Sequence, residues 1–241
     1  MTENTILESY AQQKFFTHAS YLTGNSNNIS TKIIHYPSLV TDQVFDVASL
    51  TKVFVTGSML AQSMHQYQLS LDTPILQFSS WHQNLQIDKQ YLQGITIGDL
   101  LSHTSGITSW FPLYALKNFN QSKIWNLFFF RAQKDRQRRY SDLGFICLGK
   151  ILEELWNLPI EIWFQKYIIQ KLNLKNTGYR LQLPHLQNSD FIPTSIGNPF
   201  EQFLTQKTLL EWEKDLQQAN IDYFLPTEIS FRHYRLQGEC N

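Results

Sequence analysis

Residues 45–54 read FDVASLTKVF. Ser49 precedes Lys52 by three positions, at the head of a segment in which Leu50, Val53, Gly57, Leu60, Ala61 and Met64 keep a 3.6-residue period. This spacing predicts a helix over 49–66. On a helix, residues three apart share a face, so the Lys52 amine can reach the Ser49 hydroxyl. Ser49 is expected in the first turn, where free backbone N–H groups and the helix dipole favour developing negative charge. A serine hydroxyl is a poor nucleophile until a neighbouring base takes its proton. Lysine, with an ordinary pKa of about 10.4, is that base only if burial or another cation keeps it neutral. A tyrosine phenolate is the alternative base. The plainer reading is a helix cap followed by a solvated lysine, since a chain of this composition carries roughly one Ser-x-x-Lys match by chance.

Downstream, ITIGDLLSHTSGI (95–107) opens with Thr96 and Asp99 in capping-box positions and predicts a short helix ending near Gly106. YSDLGFICLGKILEEL (140–155) predicts a helix with Ser141 or Asp142 near its N-cap and Phe145, Leu148, Leu152 and Leu155 on one face. Pro159 stands where a further helix can start, followed by Ile160, Trp163, Phe164, Tyr167 and Ile168 at helical spacing. Another helical candidate lies near 200–219. Upstream, two β-rich runs, roughly 15–23 and 29–36, flank the turn-formers Gly24-Asn25-Ser26-Asn27-Asn28 and predict a hairpin. Early strands followed by a block of helices indicate an α+β fold with a helix-rich lobe.

Bulk properties narrow the function classes. A chain of 241 residues that is 42% hydrophobic and 14% aromatic can bury a real core and is not a disordered chain. Twenty basic and twenty acidic residues give a net charge of zero, so no global field for nucleic acid is expected. No run approaches the ~20 apolar residues needed to span a bilayer. The opening MTENTILESYAQQKFF lacks a basic region and an apolar stretch, so cytoplasmic residence is the expectation. Two cysteines, Cys147 and Cys240, make a disulfide framework unexpected. The seven histidines form no His-x-His or His-Glu-x-x-His pattern, which argues against a zinc hydrolase.

The ordered blocks FDVASLTK, ITIGDLLSHTSGI and YSDLGFICLGKILEEL resemble the serine β-lactamase-related family, which takes in class C β-lactamases, penicillin-binding DD-peptidases and related esterases. KLNLKNTGY (171–179), PTSIGNPFE (193–201) and LPTEISFRHYRLQGE (225–239) are weaker echoes, so the resemblance spans about 40–241. It implies a β-lactamase/transpeptidase-like fold and acyl-enzyme chemistry on a small-molecule amide or ester, with no metal or cofactor and no nucleic-acid or membrane partner. Ser49 would be the acylated nucleophile, Lys52 the amine that activates it, and Tyr140 the proton shuttle that opens a Tyr-x-Asn motif. The third position of that motif is Asp142, an acceptor-only carboxylate where the family has an amide, so its contacts to substrate and to Lys52 are expected to differ. His103 is expected to serve a structural turn. Arg131, Lys134, Arg136, Arg138 and Arg139 read as a solvated basic loop, or else as a local field acting on Tyr140 or on a substrate carboxylate.

The family's third element, Lys or His, then Thr or Ser, then Gly, does not occur after Tyr140. Asn176-Thr177-Gly178 matches a structural turn instead. The expectation is therefore a single incomplete domain over 1–241: N-terminal strands in 1–48, a nucleophile helix in 49–66, and a mainly helical lobe and tail in 67–241. It would lack the C-terminal strands and helix, with activity impaired. A complementing C-terminal fragment is one possible partner. The alternative is a catalytically inactive truncated remnant or a binding scaffold.

Overall fold

The computed structural model describes residues 3–16, 18–25, 28–36, 44–78, 82–83, 86–117, 120–132, 135–187, 190–192 and 199–225. The tip of the expected hairpin turn, Lys134, Cys240, most of PTSIGNPFE and all but Leu225 of the last echo lie outside them.

The chain divides into two compact units. The first takes in Met1–Val47 and Leu181–Thr194. It opens with helix α1 (Glu3–Gln12), which the sequence reading did not anticipate. The expected hairpin follows as β1 (Ala19–Asn25) and β2 (Asn28–Tyr36), antiparallel, with Ala19 opposite Tyr36 and Thr23 opposite Lys32. The register slips between Thr23 and Asn25, where Gly24 enters the turn. Val44 adds a parallel bridge to Phe191: its N–H donates to Asp190 O at 2.7 Å and its carbonyl accepts from Ile192 N at 2.9 Å.

The second unit, Ala48–Arg180 with Ser195–Asn241, carries the helices. The segment expected to be helical over 49–66 is built in three pieces: a 3₁₀ turn at Ala48–Leu50, a π-helical turn at Lys52–Gly57, and α2 at Ser58–Gln66. The wide turn alters the phase of the buried face. Val55, Met59, Leu60 and Ser63 are buried, whereas Leu50 and Val53, expected inward, are 54% and 64% exposed. A uniform 3.6-residue period does not carry across a π turn, which inserts an i→i+5 closure into the ladder. A Cβ on Gly57 would sit 3.2 Å from the Lys52 carbonyl oxygen, so glycine is what allows this turn to close tightly.

Short helices α3 (Lys89–Leu92) and α4 (Ile97–Leu101) follow. The Thr96–Asp99 capping box forms with both bonds: Asp99 N donates to Thr96 Oγ1 at 3.2 Å and Thr96 N to Asp99 Oδ2 at 2.9 Å. Helix α4 stops at Leu101, before the expected Gly106, because His103 turns left-handed at φ 63°. Helix α5 (Gln121–Phe130), capped by Asn120, was not foreseen. Helix α6 (Asp142–Trp156) is capped by Ser141, whose Oγ accepts from Gly144 N at 2.9 Å. Helix α7 (Ile160–Phe164) starts after Pro159 and runs through a π turn, Gln165–Ile169, into α8 (Gln170–Leu172). Helix α9 spans Pro199–Gln218.

The core of this unit gathers around α6, with Leu143, Cys147, Leu148, Ile151 and Leu152 buried. Helix α9 adds Leu209, Trp212 and Leu216, one apolar face at helical spacing. Trp212 meets Phe111 at 4.9 Å and Phe128 at 5.9 Å between ring centroids. Buried Ser63 is fully used: it donates to Met59 O at 2.7 Å and accepts from Trp156 Nε1 at 2.6 Å. Among the described residues, no helix is long and apolar enough to cross a membrane.

Candidate active site

Ser49 stands exposed in the 3₁₀ turn. The residue before it, Ala48, has φ 43°, a left-handed conformation that costs an L-residue roughly 1–2 kcal/mol. Backbone strain of this kind persists only where surrounding structure holds it, and it gathers at functional sites. Nothing in the sequence marked Ala48.

Lys52 opens the π turn, and its Nζ donates to Ser49 Oγ at 3.1 Å. The same ammonium lies 2.5 Å from Asp142 Oδ1, with the lysine side chain only 15% exposed. That approach is an oblique ion pair rather than an aligned hydrogen bond, since Oδ1 is sealed from solvent and has no well-directed donor. The Tyr140 ring lies beneath the ammonium at 4.9 Å from its centroid, and that of Phe145 at 5.9 Å. Burial pushes the Lys52 pKa down, but the close Asp142 carboxylate and the Tyr140 side chain outweigh it and hold the group above its ordinary 10.5. Lys52 is therefore an ammonium at neutral pH. The neutral amine considered from sequence is not the resting state.

Tyr140 sits immediately before the cap of α6 and is 58% exposed. The start of α6 is tied to the loop after α4: Asp142 N donates to Ser109 O at 2.8 Å, and Ser141 N to His103 Nδ1 at 3.0 Å. The first-turn donors of α6 are thus largely consumed by the protein itself. Ser49, Lys52, Tyr140 and Asp142, chosen from sequence blocks up to 93 positions apart, converge on one cluster with Lys52 Nζ at its hub. His103 and Phe145 belong to it too. Their signals, a histidine closing a short helix and an aromatic one turn into α6, were legible only as structural.

The other candidates fall elsewhere. Arg131 Nε donates to Asp215 Oδ2 at 2.5 Å and its guanidinium lies 4.3 Å from the Trp212 ring centroid. Arg136 pairs with Asp99 at 3.2 Å and Arg139 with Asp135 at 2.5 Å. Arg136 is exposed and Arg139 more than a third exposed, in keeping with a solvated loop, but each is paired with a carboxylate of the chain. Asn176-Thr177-Gly178 lies in bends, not on a strand. Among the described residues, no three His, Cys, Asp or Glu side chains gather as a metal ion would require.

The family model described as Beta-lactamase matches residues 30–208. The chain belongs to the β-lactamase family. A Salmonella typhi protein named as a D-alanyl-D-alanine carboxypeptidase is 26% identical over 163 residues, which cover 62% of this chain and 37% of that protein. In fold the chain is similar to a class C β-lactamase solved with cefoxitin, with a TM-score of 0.61 at 20% identity over 80% of this chain and 53% of that one. A penicillin-binding protein homologue from Pyrococcus abyssi, solved as an octamer, gives 0.59 at 20% identity over 81% of this chain and 46% of that one. The fold is thus α+β and β-lactamase/transpeptidase-like, here chiefly its helix-rich lobe. The β-lactamase-family match spans little more than a third of the curated relative and about half of the solved ones.

Proposed function

We propose that the chain is a serine hydrolase that acts on a small-molecule amide or ester through an acyl-enzyme at Ser49. The observation that carries this reading is the hub at Lys52, where one partly buried ammonium lies within reach of the Ser49 hydroxyl and the Asp142 carboxylate and against the Tyr140 ring.

Ser49 Oγ attacks the carbonyl carbon and forms a tetrahedral oxyanion as its proton departs. Lys52, held charged, orients the hydroxyl and stabilises the oxygen as it loses that proton. Tyr140, whose ring lies against the same ammonium, serves as the phenolate: it takes the proton from Ser49 and returns it to the leaving amine or alcohol. Collapse gives the acyl-enzyme, which water hydrolyses. Asp142 fixes the lysine and presents an acceptor to the substrate.

The 241 residues contain no Lys/His-Thr/Ser-Gly element after Tyr140. On these residues alone, with no second segment supplying that element, acylation is proposed to be slow, since losing one oxyanion donor costs roughly 10²–10³ in rate. A complementing segment carrying that element would restore it. The same observation favours a second reading, a catalytically inactive relative that binds acyl compounds without turning them over. A cytoplasmic setting is part of the proposal.

Intact mass after incubation with a fluorophosphonate, a penicillin and an activated ester tests the choice. Hydrolase chemistry requires a single adduct that disappears in Ser49→Ala. Folded protein that takes up none of the three reagents is the inactive scaffold.

A further inference from the structure

His103 touches the chain on both sides of Tyr140. Its carbonyl accepts from Arg139 N at 2.9 Å, and its Nδ1 accepts from Ser141 N at 3.0 Å. Its ring lies against the Tyr140 ring at 4.7 Å between centroids, tilted 40°, and against Phe145 at 5.1 Å. The tyrosine is thus held through the peptide that follows it, through the Arg138–Arg139 peptide one residue earlier, and by its ring face, all from one residue. That residue is itself in a strained conformation, at φ 63°, and its loop is anchored. Thr104 N donates to Asp99 O at 2.8 Å, and Thr104 Oγ1 to Asp99 Oδ1 at 3.2 Å.

We propose that His103 is the positioning residue for Tyr140, and that it works only as the neutral imidazole with its proton on Nε2. This rests on the hydrolase reading of Ser49. A backbone N–H always donates, so Nδ1 must be the bare nitrogen. Protonation would set a ring N–H against the Ser141 N–H and release the peptide after Tyr140. The surroundings favour the neutral form: burial, then the Lys52 and Arg138 cations, lower the His103 pKa below its ordinary 6.5, against the opposing pull of Asp142. The clasp therefore holds at neutral pH and opens on acidification, at a pH below that at which a free histidine charges.

The test is fluorophosphonate labelling of the full chain from pH 5 to 8, for wild type and for His103→Asn, His103→Phe and His103→Ala, each with and without Tyr140→Phe. Asparagine supplies an acceptor near the Nδ1 position and tolerates the left-handed backbone, so it also guards against a variant that merely fails to fold. Loss of geometry on this scale costs about 10²-fold, expected for the Phe and Ala variants. Asn is expected to lose about tenfold or less and to lack the acid limb of the wild-type profile. In the Tyr140→Phe background, His103→Ala is expected to add no more than about twofold, because a residue that acts through another couples to it. Equal losses in both backgrounds, or Asn no better than Ala, overturn the proposal. Histidine and amide NMR on the same protein separates this from failure of the hydrolase reading. The Ser141 amide should shift with the His103 titration whether or not Ser49 reacts, and an amide that ignores it also overturns the proposal.

Discussion

At Lys52, burial acts against the ammonium, while Asp142 at 2.5 Å and the Tyr140 phenol act for it, and the attractive contacts win. The sign of the pH dependence follows. A lysine pKa raised in the fold contributes stability that is fully present below its unfolded value and is lost as pH rises through the folded one. Asp142→Asn removes the counter-charge and leaves burial less opposed, so the Lys52 pKa falls. Labelling that needs the ammonium is then expected to fade at lower pH than in wild type, and the alkaline loss of stability through Lys52 to shrink, because that loss spans only the gap between the unfolded and the folded pKa. Thermal melts and fluorophosphonate labelling between pH 7 and 11 check this. An alkaline limb unmoved by the substitution would mean that Asp142 does not hold the charge.

Among the elements, the loop that follows α4 does the positioning, and Asp99 secures it. Besides the capping box, Asp99 accepts from Thr104 Oγ1 at 3.2 Å and from Arg136 Nη1 at 3.2 Å, and its carbonyl accepts from Thr104 N and Ser105 N. Asp99→Ala removes the cap and leaves several donors short of an acceptor. The expected cost is about 1–3 kcal/mol, read as a lowered midpoint in urea. Reduced Ser49 labelling should accompany it, because His103 rides on the same loop. Asp99→Asn, which keeps one oxygen acceptor, should cost less. At the nucleophile, Gly57 and the π turn perform the corresponding task by setting where Lys52 starts.

For the whole molecule, stability rests on the packing of the second unit rather than on its surface charges. Leu148 is fully buried on α6, the helix that also presents Asp142. Leu148→Ala is expected to cost about 2–5 kcal/mol, measured by urea unfolding monitored through tryptophan fluorescence. A loss below about 1 kcal/mol would show that the core does not close around α6. The paired arginines contribute less, since exposed ion pairs are worth about 0–1 kcal/mol each. With Arg131, Arg136 and Arg139 each paired to a carboxylate of the chain and no net charge overall, affinity for a DNA duplex with a steep salt dependence is not expected.

Local chemistry was readable from residue order alone. Thr96 and Asp99 announced their capping box, Ser141 or Asp142 a cap, Pro159 a helix start, and Ser49 and Lys52 their shared face, because each depends on neighbours a few positions away. The family blocks carried Tyr140 and Asp142 into the site for the same reason: ordered motifs survive in sequence. Three things required the fold. The π turn moved the buried face from Leu50 and Val53 to Val55 and Met59, since a periodic pattern cannot show where a helix widens. The charge on Lys52 depends on a carboxylate 90 positions away, and electrostatic balance is a matter of distance in space. His103 grips the peptides around Tyr140 only because a left-handed residue brings its ring and carbonyl to the start of α6, a contact that spacing along the chain does not encode.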